Sequence, residues 1–319
     1  FFYRNFLRPL NHLIQITREL ANSNNSQLRA EKLNEDELGD LVGWSGLEKQ
    51  YEDYLHGTIG FRRVETDVQG RVIGKPLFEK PPEPGKDIKL SLDIRLQLIA
   101  VKAIGNANGS VVAIDPRNGE VLALVSNPGY DPNDFVTGIS VANYKKISSS
   151  EDRPLFNRAL RGLYSPGSTI KPLLGWAGLE EKLISQQTTI DDPGYWIIPN
   201  KEERKFREMS KYGHGKVNLS TAIVKSCDPY FYDLAYRMGI DVLSKNMQNF
   251  GFGQYTGIDM GEEVPRIMPS REWKKINRKM TWFPGETVIT GIGQGYWNAT
   301  PLQLASAIGQ LGGGYSRFN

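Results

Sequence analysis

A serine and a lysine three residues apart, Ser168 and Lys171, are the residues of this sequence best suited to covalent chemistry. They follow the turn-forming Pro166-Gly167 and precede Pro172, which a helix tolerates only in its first turn. A helix is therefore predicted to begin at or just before Ser168, with the serine and the lysine on one face. A serine needs an adjacent base to act as a nucleophile, and a lysine can serve when burial favours its neutral form. The pair predicts acyl-transfer chemistry.

Two other segments could complete such a site. Ser226-Cys227-Asp228 precedes a helical pattern, so Ser226 could relay a proton beside Lys171 or simply cap a helix. The stretch Thr290–Pro301, whose glycine-rich segment is 291–295, could form the floor of a cleft. The sequence has 20 serines, and about one Ser-x-x-Lys match is expected by chance. Taken alone, the ordinary interpretation of Ser168 and Lys171 is an N-cap serine with a solvated lysine.

Composition narrows the class of protein. The 319 residues allow about two domains. A hydrophobic content of 39% and a net charge of +3 exclude a disordered chain and give no sign of nucleic-acid binding. The single cysteine excludes an internal disulfide. No apolar run is long enough for a complete transmembrane helix, but Phe1-Phe2-Tyr3 before Arg4 could be the end of one, so we treat the chain as a piece of a longer protein.

The sequence is predicted to have three parts. Residues 1–43 contain a helical stripe, and their pattern resembles a HAMP signalling linker; a helical juxtamembrane segment or a junction is the alternative. Residues 44–85 are typical of strands and turns and end in the stiff connector Pro81–Gly85. Residues 86–319 are predicted to form one globular domain.

The globular part is predicted to contain both strands and helices. Ser110–Asp115 and Glu120–Ser126 flank a short Asn-Gly turn, which indicates an antiparallel hairpin. Helical patterns follow at 170–181, 219–238 and 301–311. Strands followed by helices indicate a mixed α/β (α+β) fold rather than a doubly wound parallel sheet. No GxGxxG or phosphate loop is present, which disfavours nucleotide binding.

Ser168-Thr169-Ile170-Lys171 and Ser226-Cys227-Asp228 resemble the first two motifs of the penicillin-binding transpeptidases and serine β-lactamases. Asp228 stands where an Asn is more usual. The similarity to class B penicillin-binding transpeptidases covers about residues 44–310 and includes Gly46-Leu47-Glu48, Gly70-Arg71-Val72-Ile73, Leu92–Gln97, Asp115–Ala123, Asn157-Arg158-Ala159, Gly213-His214-Gly215 and Gly293-Gln294-Gly295. The resemblance implies an antiparallel sheet between helical layers, preceded by a small pedestal or linker remnant.

The resemblance also implies a function. It is that of a peptidoglycan D,D-transpeptidase that cross-links stem peptides during cell elongation and is acylated by β-lactams. Ser168 would be the nucleophile, Lys171 its base, Ser226 a proton relay and Asp228 the residue holding that network. No cofactor would be needed for catalysis. A membrane glycosyltransferase and elongation scaffold proteins would be partners, and a single membrane helix outside this chain would anchor it in the bacterial inner membrane, with the catalytic domain in the periplasm.

The family's third motif, Lys-Ser/Thr-Gly, does not occur in the sequence. We therefore expect this motif to lie downstream and the catalytic domain to be incomplete at its C-terminal end. Two other functions stay open: a serine β-lactamase, which would need a base for deacylation, and a β-lactam-sensing receptor, which the HAMP-like start suggests.

A metal site is a further hypothesis. His214 and Cys227 lie near the second motif, with Asp192 and Glu208 upstream, and these donors would suit tetrahedral Zn²⁺. A buried cysteine and a turn histidine are the more usual interpretation. Some class B members carry zinc ligands in this region, which favours the metal; Glu208 stands where they have Asp. Such an ion would brace the loop beneath Ser226 and would not catalyse.

The remaining aromatic and basic residues are expected to be structural. The aromatic residues are assigned mainly to the core, with one of Tyr296 and Trp297 as a candidate for lining the cleft; the set is Tyr195, Trp196, Trp282, Phe283, Tyr296 and Trp297. The basic cluster of Arg271, Lys274 and Lys275 flanks Trp273 and is predicted to be a solvated face.

Overall fold

The structure, a computed structural model, describes residues 43, 45–66, 71–136, 138–201, 204–264 and 267–313. The helical stripe predicted within residues 1–43 lies outside these residues. None of the helices in the described part of the chain is both long and apolar enough to cross a membrane.

Twelve α-helices are described in these parts of the chain: α1 Gly46–Gln50, α2 Glu52–Leu55, α3 Ile94–Ile104, α4 Asn133–Val136, α5 Val141–Ser148, α6 Arg158–Arg161, α7 Lys171–Glu180, α8 Leu219–Val224, α9 Asp228–Asn249, α10 Arg271–Arg278, α11 Pro284–Thr290 and α12 Pro301–Gly312. A 3₁₀ helix, Gly167–Ile170, precedes α7. The strands are β1 Phe61–Thr66, β2 Val72–Lys80, β3 Gly109–Ile114, β4 Val121–Asn127, β5 Thr189–Asp192, β6 Tyr195–Ile197, β7 Lys205–Arg207 and β8 Gly215–Asn218.

The chain divides into two compact units. The first contains the described residues of Phe1–Asn108, with Pro128–Leu155 and Asp259–Glu262. The second contains Gly109–Asn127, Phe156–Ile258 and the described residues of Glu263–Asn319. The divisions expected after residues 43 and 85 fall inside the first unit and stay predictions.

In the first unit, β1 and β2 form an antiparallel hairpin. Helix α3 begins at Ile94 because the Asp93 carboxylate accepts a hydrogen bond from the Arg95 backbone N–H and so caps the helix.

The second unit contains three antiparallel strand pairs, β3–β4, β5–β8 and β6–β7. The predicted hairpin is β3–β4, closed by a turn in which the Gly119 N–H donates to the Asp115 carbonyl. Strand β3 packs against α6 and α12. The mixed α/β class with antiparallel strands is thus confirmed; the described residues form two-stranded sheets.

Helices α7 and α9 form the centre of the core of the second unit. Leu173, Leu174 and Ala177 of α7 and Leu234 of α9 are fully buried. The helices approach closely because Gly178 has no side chain: a Cβ there would come within 2.9 Å of Leu234. This packing fixes the orientation of α7, whose first residue is Lys171.

The helix predicted over residues 219–238 is wrong as one element. The chain breaks between α8 and α9, where Ser226 adopts a left-handed φ of 54°. The Ser226 N–H still donates to Ile223 and the Cys227 N–H to Ala222, which ends α8 with its backbone groups satisfied. The break lets α9 begin afresh at Asp228.

Candidate active site

Ser168 lies in the 3₁₀ helix immediately before α7, and its side chain is exposed. The turn before it is held in place at two points. Gly167 has a φ of 59°, which favours glycine, and the Thr169 hydroxyl donates to the Pro166 carbonyl. Pro172 falls in the first turn of α7, as the sequence predicts. An exposed serine therefore stands at the start of a buried helix.

Lys171 is almost completely buried, with 1% of its side chain exposed. Its Nζ donates to the Ser226 carbonyl at 2.6 Å, to Ser226 Oγ at 3.1 Å and to Asp228 Oδ1 at 2.6 Å. These contacts match the three N–H donors of a lysine ammonium. The structure thus brings together three of the four predicted catalytic side chains, with Ser168 one turn ahead of Lys171.

The segment 226–228 presents neighbouring side chains to two different clusters. Ser226 and Asp228 contact Lys171, whereas Cys227 between them is fully buried and its thiol donates to Asp192 Oδ2 at 3.3 Å. The left-handed Ser226 backbone is uncommon for a residue other than glycine and is the kind of constraint that clusters at functional sites.

The glycine-rich segment 291–295 packs directly against the turn that carries the serine. The Gly167 N–H donates to the Gly293 carbonyl at 2.9 Å. Gly293 has a φ of 70°, and a Cβ there would come within 2.3 Å of the Gly167 carbonyl oxygen. Only glycine fits this approach, so the segment supports the turn that carries Ser168.

The four predicted metal ligands form one cluster. Ligand atoms from Asp192, Glu208, His214 and Cys227 all lie within 4.8 Å of one another. Asp192 Oδ2 accepts hydrogen bonds from the His214 N–H at 3.0 Å and is 2.9 Å from His214 Nδ1. Glu208 Oε2 lies 4.0 Å from His214 Nδ1. The Asp192 and Glu208 side chains are 0% and 4% exposed.

These residues fit a metal ion by their chemistry. Burial, and to a lesser extent the neighbouring carboxylates of Asp192 and Glu208, raise the pKa of the Cys227 thiol to about 12. Two buried carboxylates and a thiol converge beside one histidine. A divalent cation would compensate such a set and would favour the thiolate. One thiol, one imidazole and two carboxylates are a donor set that suits Zn²⁺.

Glu208 connects this cluster to the lysine network. Its Oε2 accepts the Asp228 backbone N–H at 2.6 Å, at the first turn of α9. A carboxylate there is favourable because the N–H groups of a helix start have no partners within the helix. Sequence reasoning did not predict this contact, since nothing in the spacing of the two residues indicates it.

The solvated face predicted for the basic cluster is wrong for Lys274. Arg271 and Lys275 are exposed, but Lys274 is 0% exposed and its Nζ lies 2.6 Å from Glu286 Oε1. Its helix, α10, turns that one position inward. Nothing in the sequence indicates that Glu286, 12 residues further along the chain, would pair with Lys274.

The predicted core role holds for most of the aromatic residues. Trp282 and Trp297 are buried, at 5% and 0% exposure, and Trp297 packs edge-on against Phe252. Tyr296 is half-buried, with its ring 5.3 Å from that of Trp273. Phe283 is an exception at 55% exposure. Because Trp297 is enclosed, the prediction of a cleft-lining residue rests on Tyr296 alone.

Two family models match the chain. "Penicillin binding protein transpeptidase domain" matches residues 109–316, and "Penicillin-binding Protein dimerisation domain" matches residues 11–90. A curated relative, peptidoglycan D,D-transpeptidase MrdA of Acinetobacter baumannii, is 48% identical over 268 residues. The match covers 84% of this chain and 40% of the relative.

Solved structures of penicillin-binding proteins are also similar to this chain. Penicillin-binding protein 2 (PBP2) of Pseudomonas aeruginosa, in complex with WCK 5153, is 48% identical with a TM-score of 0.76; the match covers 85% of this chain and 57% of that one. PBP2 of Helicobacter pylori, in complex with MreC, is 36% identical with a TM-score of 0.79, over 92% of this chain and 54% of that one. The chain thus spans about half the length of these relatives.

The resemblance drawn from the sequence motifs is confirmed, and the similar proteins named above are MrdA and PBP2 proteins. The transpeptidase family model covers the turn of Ser168, the network of Lys171 and the glycine segment, which are the parts that the geometry brings together. The chain belongs to the penicillin-binding protein transpeptidase family.

Proposed function

We propose that this chain is part of a peptidoglycan D,D-transpeptidase that cross-links stem peptides through an acyl-serine intermediate. The single observation that carries the proposal is the engagement of buried Lys171 by Ser226 and Asp228, one turn after an exposed serine. A structural lysine paired with a carboxylate would not also need the Ser226 hydroxyl 3.1 Å from its Nζ. The names of the similar proteins support the substrate class.

The residues would divide the proton transfers among them. The neutral form of Lys171 is the one that acts as the base: its lone pair takes the Ser168 hydroxyl proton as Oγ attacks the carbonyl carbon between the two terminal D-Ala residues, and the ammonium so formed makes the three contacts described above. The resulting ammonium is stabilised by Asp228, whose Oδ1 is 2.6 Å from Nζ. Ser226 Oγ, 3.1 Å from Nζ, is placed to pass a proton to the nitrogen of the departing D-Ala.

The second half of the reaction returns the site to its starting state. An amine from a neighbouring stem attacks the acyl-serine carbonyl, the new amide bond forms, and the ester bond to Ser168 breaks. Lys171 accepts a proton from the attacking amine and returns it to the Ser168 oxygen as the ester bond breaks. The Ser168 backbone N–H would supply part of an oxyanion hole at the start of the helix.

Acylation by a fluorescent penicillin, followed by peptide mass spectrometry, tests this function. We expect an adduct on Ser168 that is lost in Ser168→Ala and kept in the control Ser165→Ala, which removes another exposed serine hydroxyl from the same turn. The assay is run on this chain and on a longer one that contains a Lys-Ser/Thr-Gly motif. Slow release of the adduct favours a transpeptidase, and rapid release a β-lactamase. No adduct on the longer chain would overturn the proposal.

The setting of the whole protein belongs to the same proposal. One similar protein was solved in complex with MreC. We extend this to an elongation scaffold protein as partner here, together with a membrane glycosyltransferase. A single-pass anchor would hold the whole protein in the inner membrane, with its catalytic domain in the periplasm, where the stem peptides are. Cross-linking of the full-length protein in membranes, followed by identification of the bound proteins, tests these partners.

We also propose that Asp192, Glu208, His214 and Cys227 hold a structural Zn²⁺. When bound, the ion would supply positive charge to a buried acidic cluster and brace the segment of Ser226 and Asp228. It takes no part in the proton transfers. Metal analysis of the purified protein should find about one zinc per chain. His214→Ala should lose it, and the control His56→Ala, at a histidine in the first unit, should keep it. Equal zinc content in the two variants would refute the site.

A further inference from the structure

Lys274 is a buried cation that the proposed chemistry does not use. Its Nζ donates to the Thr281 carbonyl at 2.7 Å and to both Glu286 carboxylate oxygens at 2.6 and 2.7 Å. The side chain is 0% exposed. All three N–H donors are therefore satisfied, and the charge is paired inside the protein. Burying an ion pair of this kind gives little net stability, so its placement calls for another explanation.

Three aromatic rings surround the same ammonium group. Nζ lies 5.9 Å from the ring centroid of Trp282, 4.8 Å from that of Phe283 and 5.8 Å from that of Tyr296. Each distance is within the range of a cation–π contact. The Tyr296 ring also packs against Trp273 of α10, with the two ring centroids 5.3 Å apart.

These contacts reach both ends of the glycine-rich segment 291–295. Upstream, Glu286 lies in α11, whose last residue, Thr290, directly precedes the segment. Glu286 also accepts the Phe283 N–H at 2.7 Å, which fixes the start of α11. Downstream, Tyr296 directly follows the segment. Lys274 thus forms an ion pair with α11, which precedes the segment, and a cation–π contact with Tyr296, which follows it.

The segment transmits this restraint to the serine. Gly293, at its centre, accepts the Gly167 N–H at 2.9 Å, and Gly167 is the residue before Ser168. We propose that Lys274 is a positioning residue for the nucleophile: its charge and its aromatic surroundings hold the glycine-rich segment in the one placement that supports the Ser168 turn. The role of Ser168 as the nucleophile rests on the proposed function; the hold of Lys274 on the glycine-rich segment does not.

The test compares Lys274→Met with Lys275→Met. Both changes replace a lysine of α10 by an unbranched side chain of similar length, but only Lys274 is buried, and Lys275 is exposed. Amide hydrogen exchange at Gly167 reports the contact with Gly293 directly. We expect exchange at Gly167 to become at least about tenfold faster in Lys274→Met and to stay unchanged in Lys275→Met.

Penicillin acylation, resolved into a noncovalent binding constant and an acylation rate constant, measures the effect on the nucleophile. A displaced serine lowers the rate constant, by about tenfold to a hundredfold, and leaves noncovalent binding within about twofold. A loss of stability alone would move the melting temperature without this split. The assay is carried out on this chain or on the longer chain with a Lys-Ser/Thr-Gly motif, whichever is acylated by penicillin in its wild-type form.

Each outcome decides the proposal. Unchanged Gly167 exchange in a folded Lys274→Met overturns it, and so does faster exchange without any fall in the acylation rate constant. If Lys274→Met does not fold, Tyr296→Leu is measured instead, because it removes one of the three aromatic rings around the ammonium group and keeps the ion pair with Glu286. Faster Gly167 exchange in that variant supports the proposal, and unchanged exchange overturns it. If no wild-type chain is acylated, the proposed function fails, while the exchange measurement still tests the coupling.

Discussion

Replacing Gly293 by alanine is the sharpest test of how the nucleophile's turn is held. The change adds one methyl group at a position with a φ of 70°, in the region that non-glycine residues seldom adopt. That methyl carbon would lie 2.3 Å from the Gly167 carbonyl oxygen and 2.6 Å from its nitrogen. Neither neighbour is a flexible side chain, so one of the two backbone segments must move.

The size of the effect follows from these distances. Left-handed backbone in a residue with a Cβ costs about 1–2 kcal/mol. The methyl-to-oxygen distance must grow from 2.3 Å to at least 3.0 Å, which lengthens the 2.9 Å hydrogen bond from Gly167 to Gly293 beyond bonding range. Loss of that bond costs about 1 kcal/mol more. We therefore expect the free energy of unfolding to fall by about 2–3 kcal/mol.

The acylation rate constant of Gly293→Ala should fall by more than the loss of stability alone would cause. Displacement of a reacting group by about 1 Å costs on the order of a hundredfold in rate, and Ser168 directly follows the displaced residue. The assay is the rate constant for labelling by a fluorescent penicillin, measured well below the melting temperature of each variant. We expect Gly293→Ala to react about a hundredfold more slowly than the wild type.

Gly295→Ala is the matched control. Its φ of 76° imposes similar backbone strain, but its Cβ would lie at an ordinary 3.5 Å from an Ile289 methyl carbon. This variant should lose about 1–2 kcal/mol of stability and react within about threefold of the wild-type rate. Equal acylation rates in the two alanine variants would refute the idea that Gly293 supports the serine through its backbone approach.

Three further changes test other parts of the chain. Lys171→Met should slow acylation by about 10²–10⁴-fold while the chain stays folded by circular dichroism; a rate near that of the wild type would exclude Lys171 as the base. Cys227→Ser should lower both the zinc content and the melting temperature, and a variant with full metal content would contradict the ligand role of the thiol. The Arg117 side chain lowers the pKa of Asp115 to about 2, so the carboxylate stabilises the fold above about pH 4 and this stabilisation is lost as pH falls towards 2. Asp115→Asn should therefore lower the melting temperature at pH 7 but not at pH 2, and an equal effect at both would contradict this origin.

Local features of the site could be predicted from the sequence. The start of α7 is indicated by Pro172, which restricts where a helix can begin, and by the turn before Ser168. The β3–β4 hairpin follows from two apolar runs around a short turn. These predictions succeed because the residues that decide them are neighbours in the chain.

Long-range features could not be predicted in this way. The break between α8 and α9 depends on Ser226 adopting a left-handed backbone, for which serine has no preference. The approach of Gly293 to Gly167 joins residues far apart in sequence. Lys274 resembles its exposed neighbour Lys275 in every local respect, and only the placement of Glu286 distinguishes the two.

The metal cluster lies between these cases. The donor types could be identified from the sequence, and the resemblance gave their grouping, which the structure reproduces. The role of Glu208 as an acceptor for the Asp228 N–H was not predictable, because it depends on how the loop before β8 folds back onto the start of α9.

The alternating directions of Ser226, Cys227 and Asp228 have a consequence for how this gene can change. Three consecutive residues belong to two different clusters. Ser226 and Asp228 contact Lys171, and Cys227 contacts the buried carboxylate of Asp192. A mutation in any of the three shifts the backbone that both clusters share. Viable variation is therefore expected to accumulate outside this tripeptide, where one cluster can be altered without disturbing the other.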